Sequence, residues 1–257
     1  MEEIRKTEII KSKENKFFKR IKKLKTKKYR DKEKLFIAEG HKFLDFKEVP
    51  KYIVIREECD RYEEKIAAFN CEKYILSEPL FNEITTQENS QGIILIYEMR
   101  DGEMEALEDN IVVLDRVQDP GNLGTIIRVA DAAGYKDIIL TKGSVDVYND
   151  KCVRSSMGSL FNMNILYREA GELLKDLREK GYKLSVTALA TDAVSYSEMK
   201  LGERNAIIFG NEGQGVAQEI IDTADQKVII PIYGSAESLN VAMASGIMLY
   251  KCRELLG

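Results

Sequence analysis

Five short runs in the second half of the chain are apolar at nearly every position: "IVVLD" (111–115), "DIILT" (137–141), "KLSVTAL" (183–189), "NAIIFG" (205–210) and "QKVIIPIY" (226–233). A strand with one wet face alternates apolar and polar residues, whereas a strand buried on both faces reads as a continuous Val/Ile run. Helix-prone segments separate the runs. One follows "IVVLD" and is stopped by Gly134, a second is "REAGELLKDLREKG" (168–181), and "SLNVAMASGIMLYKCRELLG" (238–257) predicts a long terminal helix. Buried strands alternating with helices predict an α/β domain built on a parallel sheet with helices on both faces.

The first hundred residues carry the same alternation more weakly. The runs "LFIAEG" (35–40), "KYIVIR" (51–56), "KYILS" (73–77) and "QGIILIY" (91–97) are separated by polar stretches such as "ECDRYEEKIAAFN", which predicts a smaller α/β domain. In "KENKFFKRIKKLKTKK" (13–28), Phe17, Ile21 and Leu24 recur at helical spacing among lysines, a basic amphipathic helix. The acidic stretch "EMRDGEMEALEDN" (98–110) is poor in strand formers and is the expected linker. The expected domains are therefore residues 1–100 and 111–257, joined by 101–110.

Charge is unevenly spread. Residues 1–34 hold fifteen Lys and Arg against six Asp and Glu, so the rest of the chain carries −13 within a net charge of −4. A basic arm on an acidic body fits a nucleic-acid partner, because phosphate neutralisation needs local charge; a solvated lysine-rich helix would look the same. One histidine, His41, leaves no material for a Ser-His-Asp triad or a multi-histidine metal centre. Cys59, Cys71, Cys152 and Cys252 lie far apart, which points to reduced thiols and no metal site. No apolar run is long enough for a membrane span or a signal peptide, so the expected location is cytoplasmic.

Three loops at predicted strand ends hold more than a plain α/β core requires. "RVQDPGNLGTIIR" (116–128) follows the first strand: Pro120-Gly121 forces a turn, Asn122 is placed to cap the helix, and Gly124 to admit a ligand. Its helix carries Arg128 between Ile126, Ile127, Val129 and Ala130, a charge expected to be half-buried. "FGNEGQG" (209–215) lacks the glycine order of a dinucleotide fingerprint. "IPIYGSAESLNVAMASG" (230–246) joins strand, turn and a helix of small residues. Each loop by itself reads equally well as a tight turn or a helix cap. All three at strand C-terminal ends, where open α/β sheets bind ligands, point to a site.

Taken together, "NLGTIIRVADAAG", "IIFGNEGQGV" and "IPIYGSAESLNVAMASGI" resemble the three ordered motifs of the SpoU/TrmH branch of the SPOUT RNA ribose 2′-O-methyltransferases. "SSMGSLFNMNI" (155–165) resembles a segment these enzymes carry between the first two motifs. "KTKKYRDKEKLFIAEGHKFLDF" (25–46) resembles their L30e-like substrate-binding domain, except that His41 stands where an aliphatic residue is usual. The resemblance implies a C-terminal trefoil knot, a topology that general chain-threading rules exclude. It also implies a homodimer through the knotted domain, and RNA, most often ribosomal, as substrate.

Residue by residue, the resemblance places Asn122 and Arg128 on the first motif, Glu212 on the second, and Ser238 and Asn240 on the third, all in catalytic roles. Gly210, Ile230 and Leu239, with Ala188 and Leu189 on a preceding loop, would bind S-adenosylmethionine, and no metal is implied. The family's arginine is often assigned as the base. A guanidinium keeps its proton at neutral pH, so we read Arg128 as holding phosphate and stabilising developing alkoxide. Two other readings are compatible with the residues: a tRNA ribose methyltransferase, and a non-catalytic RNA-binding module that keeps the fold.

Overall fold

The computed structural model describes residues 8–257; the first seven residues of the basic arm lie outside them. The chain forms two units: residues up to Arg100 with Asp146–Gly158, and Asp101–Val145 with Ser159–Gly257.

The first unit holds a five-stranded sheet of β1 (Ile9–Ile10), β2 (Leu35–Glu39), β3 (Tyr52–Arg56), β4 (Glu72–Leu76) and β5 (Ile93–Glu98), in the order β1-β4-β3-β5-β2. The β1/β4 and β4/β3 pairs are parallel; β5 runs antiparallel to β3 and β2. The basic helix expected over 13–28 is two helices, α1 (Lys16–Lys23) and α2 (Lys27–Glu33). Asn15 caps α1 by accepting from Phe17 N and Phe18 N at 2.9 and 3.1 Å. Between the helices, Thr26 is extended and its hydroxyl bonds back to Lys23 O, a local alternative to continued helix. Phe18, Ile21 and Leu24 enter a core with Leu35, Val54, Phe81 and Ile96. Two short helices, α3 (Glu63–Ala67) and α4 (Glu78–Ile84), complete the N-terminal part.

Residues 146–158 depart from the expected boundary, because they fold with this first unit. Arg30 is buried at 5% exposure, and its guanidinium donates to Leu24 O at 2.9 Å and to Asp146 Oδ2 at 2.6 and 3.1 Å. A buried guanidinium needs a paired carboxylate, and Asp146 supplies it. The following helix, α6 (Asp150–Ser155), packs on β2, and Gly158 ends the segment at φ +89°, where any Cβ would strike the Phe46 ring.

The second unit is a seven-stranded sheet, parallel throughout, of β6 (Asn110–Leu114), β7 (Asp137–Thr141), β8 (Asn164–Arg168), β9 (Tyr182–Thr187), β10 (Val194–Ser195), β11 (Arg204–Phe209) and β12 (Gln226–Ile229). Its order is β10-β12-β9-β11-β6-β7-β8. Ile111, Val113, Val186 and Ile208 face a core with Leu173, Leu174 and Leu177 of α7 (Ala170–Glu179) and Ile220 of α8 (Gln218–Thr223). Strand alternation turns Val112, Leu114, Ile207 and Phe209 to the other face. There α9 (Val241–Leu256) packs against β11 and against α5 (Pro120–Ala132).

Two expectations are corrected in this unit. The acidic stretch 101–110 is no free linker, because Met104 and Leu107 are buried in the same core as Ile111. The last strand ends at Ile229 rather than Tyr233; Pro231 has no N–H for a ladder, and residues 230–240 are irregular.

Candidate active site

The C-terminal ends of β6, β9, β11 and β12 deliver their loops to one place in the second unit. Asp119 caps α5, and its side chain accepts from Asn122 N at 2.8 Å. Asn122 therefore lies in the first turn of α5 and is not the expected cap. Its amide is free to point outward, and Gly124, expected to admit a ligand, is buried.

Asn122 Nδ2 donates to Glu212 Oε1 at 3.0 Å, and Asn240 Nδ2 donates to Asn122 Oδ1 at 3.0 Å. Asn240 also caps α9, accepting from Ala242 N and Met243 N at 2.9 and 3.3 Å. One line of hydrogen bonds thus joins all three loops. Glu212 accepts further from Gln118 N and Asp119 N at 3.4 and 3.3 Å. Partial burial pushes the Glu212 carboxyl up, but the bonds from Asn122 and from backbone amides outweigh it and hold the group below its ordinary range.

Beside this line lies a cavity of about 520 Å³, within the range of small-molecule pockets. Its walls include Ala188, Leu189, Gly210, Ile230 and Leu239, the five residues expected to bind cofactor, together with Glu212 and Ser238. Its charged lining residues are Glu212 and Glu237, both acidic. A ligand with a flat ring to pack on apolar walls and a net positive charge suits such a lining, and S-adenosylmethionine, with its adenine and its sulfonium, is one. Gly210 is required by backbone approach: a Cβ there would lie 2.2 Å from Gly215 C and Val216 N.

Arg128 stands apart. It is exposed rather than half-buried, because Leu123, Ile126, Ile127 and Ala130 form the inward face of α5 and the guanidinium projects from the other. The Arg128 guanidinium makes no hydrogen bond or ion pair within the described residues. Sequence reasoning missed Asn211, which builds the turn under Glu212 by accepting from Gly213 N and Gln214 N at 2.9 and 3.0 Å. The Asn-Glu-Gly order was its only signal.

Among the described residues no group of His, Cys, Asp or Glu is arranged to hold a metal ion, and no helix is long and apolar enough to cross a membrane.

The SpoU rRNA Methylase family model matches residues 109–250, which takes in all three loops. The chain belongs to the SpoU rRNA methylase family. It is an RNA methyltransferase that uses S-adenosylmethionine. A second model, the MRM3-like substrate binding domain, matches residues 15–95. Among curated proteins, the 23S rRNA (guanosine(2553)-2'-O)-methyltransferase RlmP of Bacillus subtilis is 37% identical, over 95% of this chain and 98% of its own length. The S-adenosylmethionine-bound rRNA methyltransferase of Sinorhizobium meliloti superposes with TM-score 0.86 at 33% identity, covering 98% of this chain and 99% of that one. The SpoU methyltransferase AviRb of Streptomyces viridochromogenes, also bound to S-adenosylmethionine, superposes with TM-score 0.81 at 26% identity, over 94% of this chain and 99% of its own.

Proposed function

We propose that this protein methylates the 2′-hydroxyl of one ribose in ribosomal RNA, acting in the cytoplasm as a homodimer. The observation that carries the reading is the Glu212–Asn122–Asn240 line beside an acidic, largely apolar cavity. Similarity to the 23S rRNA enzyme over nearly the whole chain, N-terminal unit included, favours ribosomal over transfer RNA.

Ala188, Leu189, Gly210, Ile230 and Leu239 would hold S-adenosylmethionine, which supplies an activated methyl group when bound. The chain's own task is alignment and charge control. Glu212 fixes the Asn122 amide, and Asn240 holds its other end, so Asn122 presents a rigid polar edge to the ribose. Ser238 lies in the same wall and offers a hydroxyl to the substrate. The unpartnered Arg128 guanidinium holds the neighbouring phosphate and stabilises negative charge as the 2′-hydroxyl loses its proton to phosphate or water.

Leu239, Met243, Ile247 and Tyr250 make an exposed apolar stripe along and just before α9, and this is the surface we assign to the dimer. The segment after β12, whose Ile230, Ile232, Val241 and residues 237–239 share the cavity with 187–189 and 209–216, is the part we read as threaded into a trefoil knot. The lysines around α1 and α2 would grip RNA phosphates.

Mapping of 2′-O-methyl nucleotides by mass spectrometry in wild-type and deletion cells tests the reading. Loss of a single ribosomal methylation is expected. Loss confined to tRNA overturns the ribosomal assignment, and an unchanged map overturns the proposed reaction.

A further inference from the structure

Next to the cavity wall, but outside its lining, the chain holds a strained residue. Arg116 has φ +53°, a left-handed conformation that disfavours any residue with a Cβ and persists only where the surroundings over-determine it. The surroundings here are extensive. Asp115, 1% exposed at the end of β6, accepts from Arg116 Nε and Nη2 at 3.1 and 2.9 Å, from Thr141 Oγ1 at 2.8 Å and from Ala217 N at 2.8 Å. Thr141 Oγ1 in turn accepts from Arg116 N at 3.0 Å.

From that anchored position Arg116 reaches the loop 211–215 three times. Its carbonyl accepts from Asn211 Nδ2 at 2.8 Å, its Nη1 donates to Gln214 Oε1 at 3.1 Å, and its Nη2 reaches Gly215 O at 3.4 Å. The loop closes on itself through Asn211 N to Gly215 O and Gly215 N to Asn211 O, at 3.0 and 2.9 Å. Glu212 sits inside that closed turn, and residues 209–216 line the cavity, whereas Arg116 is not a lining residue.

We propose that Arg116 is a positioning residue: it latches the 211–215 turn to the end of β6 and thereby holds the cavity wall in the shape that S-adenosylmethionine requires. The proposal rests on the cavity being the S-adenosylmethionine site. The left-handed backbone turns the guanidinium toward the turn, and the buried carboxylate of Asp115 keeps the fork aimed. The latch acts on the ligand only through the turn.

Arg116→Gly tests this in the full-length protein, because glycine accepts the left-handed conformation and keeps the carbonyl bond to Asn211 while removing the side-chain bonds to Gln214, Gly215 and Asp115. Expected are affinity for S-adenosylmethionine by calorimetry weaker by about tenfold, and faster hydrogen exchange at the Asn211 and Gly215 amides with β6 and β11 unchanged. At saturating S-adenosylmethionine, kcat stays within about threefold of wild type while KM for the cofactor rises. Wild-type affinity in Arg116→Gly, or a fall in kcat with affinity intact, overturns the proposal. If Arg116→Gly also lowers Tm, Arg116→Lys decides: it keeps a cation beside Asp115 but gives up the fork that reaches Gln214 and Gly215, and weaker binding supports the proposal while unchanged binding overturns it. A wild-type protein that fails to bind S-adenosylmethionine would overturn the assignment of the cavity, whereas the exchange rates report on the latch independently.

Discussion

Asn240 donates its side-chain amide to Asn122 Oδ1 at 3.0 Å across 118 residues of sequence. The same Asn240 side chain caps α9 through its oxygen, so its two ends do separate work. Asn240→Asp keeps the capping acceptor and removes the donor. Stability should change by less than about 0.5 kcal/mol, while methyl transfer falls by about tenfold, the worth of one hydrogen bond. Asn240→Ala removes both ends and should additionally lose about 1 kcal/mol of stability in urea unfolding.

Glu212 accepts hydrogen bonds from Asn122, Gln118 and Asp119, and these hold its folded-state pKa below the ordinary value of 4.5. A depressed carboxyl pKa stabilises the fold above the unfolded value, and that contribution disappears as pH falls through the folded one. The stability difference between wild type and Glu212→Gln should therefore be flat from about pH 6 to 8 and shrink below about pH 4.3. A difference that instead grows on acidification would contradict the hydrogen-bond assignment.

Arg128 is exposed and has no partner within the described residues, so its replacement should leave stability within about 0.5 kcal/mol. Arg128→Lys keeps the charge but loses the planar fork. Turnover should drop by about tenfold to a hundredfold. Near wild-type turnover with an unchanged pH–rate profile would show that bidentate positioning is not used.

Gly210 and Gly213 lie three residues apart in the same loop and should respond oppositely to a methyl group. A Cβ at Gly210 would sit 2.2 Å from backbone atoms of Gly215 and Val216, whereas at Gly213 its nearest neighbour, Asn211 Oδ1, is 3.6 Å away. Gly210→Ala should destabilise by about 1–3 kcal/mol and weaken S-adenosylmethionine binding. Gly213→Ala should be nearly neutral in both denaturant unfolding and cofactor titration.

The Arg30–Asp146 pair is almost fully buried, with side-chain exposures of 6% and 9%. Asp146→Ala leaves the guanidinium buried without its counter-charge and should cost about 3–5 kcal/mol. The double variant Arg30→Met with Asp146→Leu should recover most of that loss. Additive losses in the double variant would argue that the two residues act separately.

Much of the candidate site's geometry was legible in the sequence. The five residues expected to bind cofactor, Ala188, Leu189, Gly210, Ile230 and Leu239, share one cavity. Asn122, Glu212 and Asn240 meet through hydrogen bonds. Arg128 was misjudged, because apolar neighbours in sequence do not surround a helical residue in space: Ile126, Ile127 and Ala130 turn inward while Arg128 falls on the outward face. Arg116 gave no signal, since a left-handed backbone is set by what surrounds it and not by arginine's own preference.

By itself the sequence determined the parallel sheet. Strands apolar at nearly every position can satisfy their side chains only when covered on both faces, and helices between them supply the cover. It also determined that loops rich in Gly, Asn and Ser would gather at the strand ends. Which polar groups meet there was decided by the tertiary structure alone, because Asn122, Glu212 and Asn240 are brought together by sheet order rather than by spacing along the chain. The same holds for residues 146–158. Their sequence neighbours belong to the second unit, but the charge that Arg30 buries is balanced by Asp146, and that long-range demand leaves no trace in local pattern.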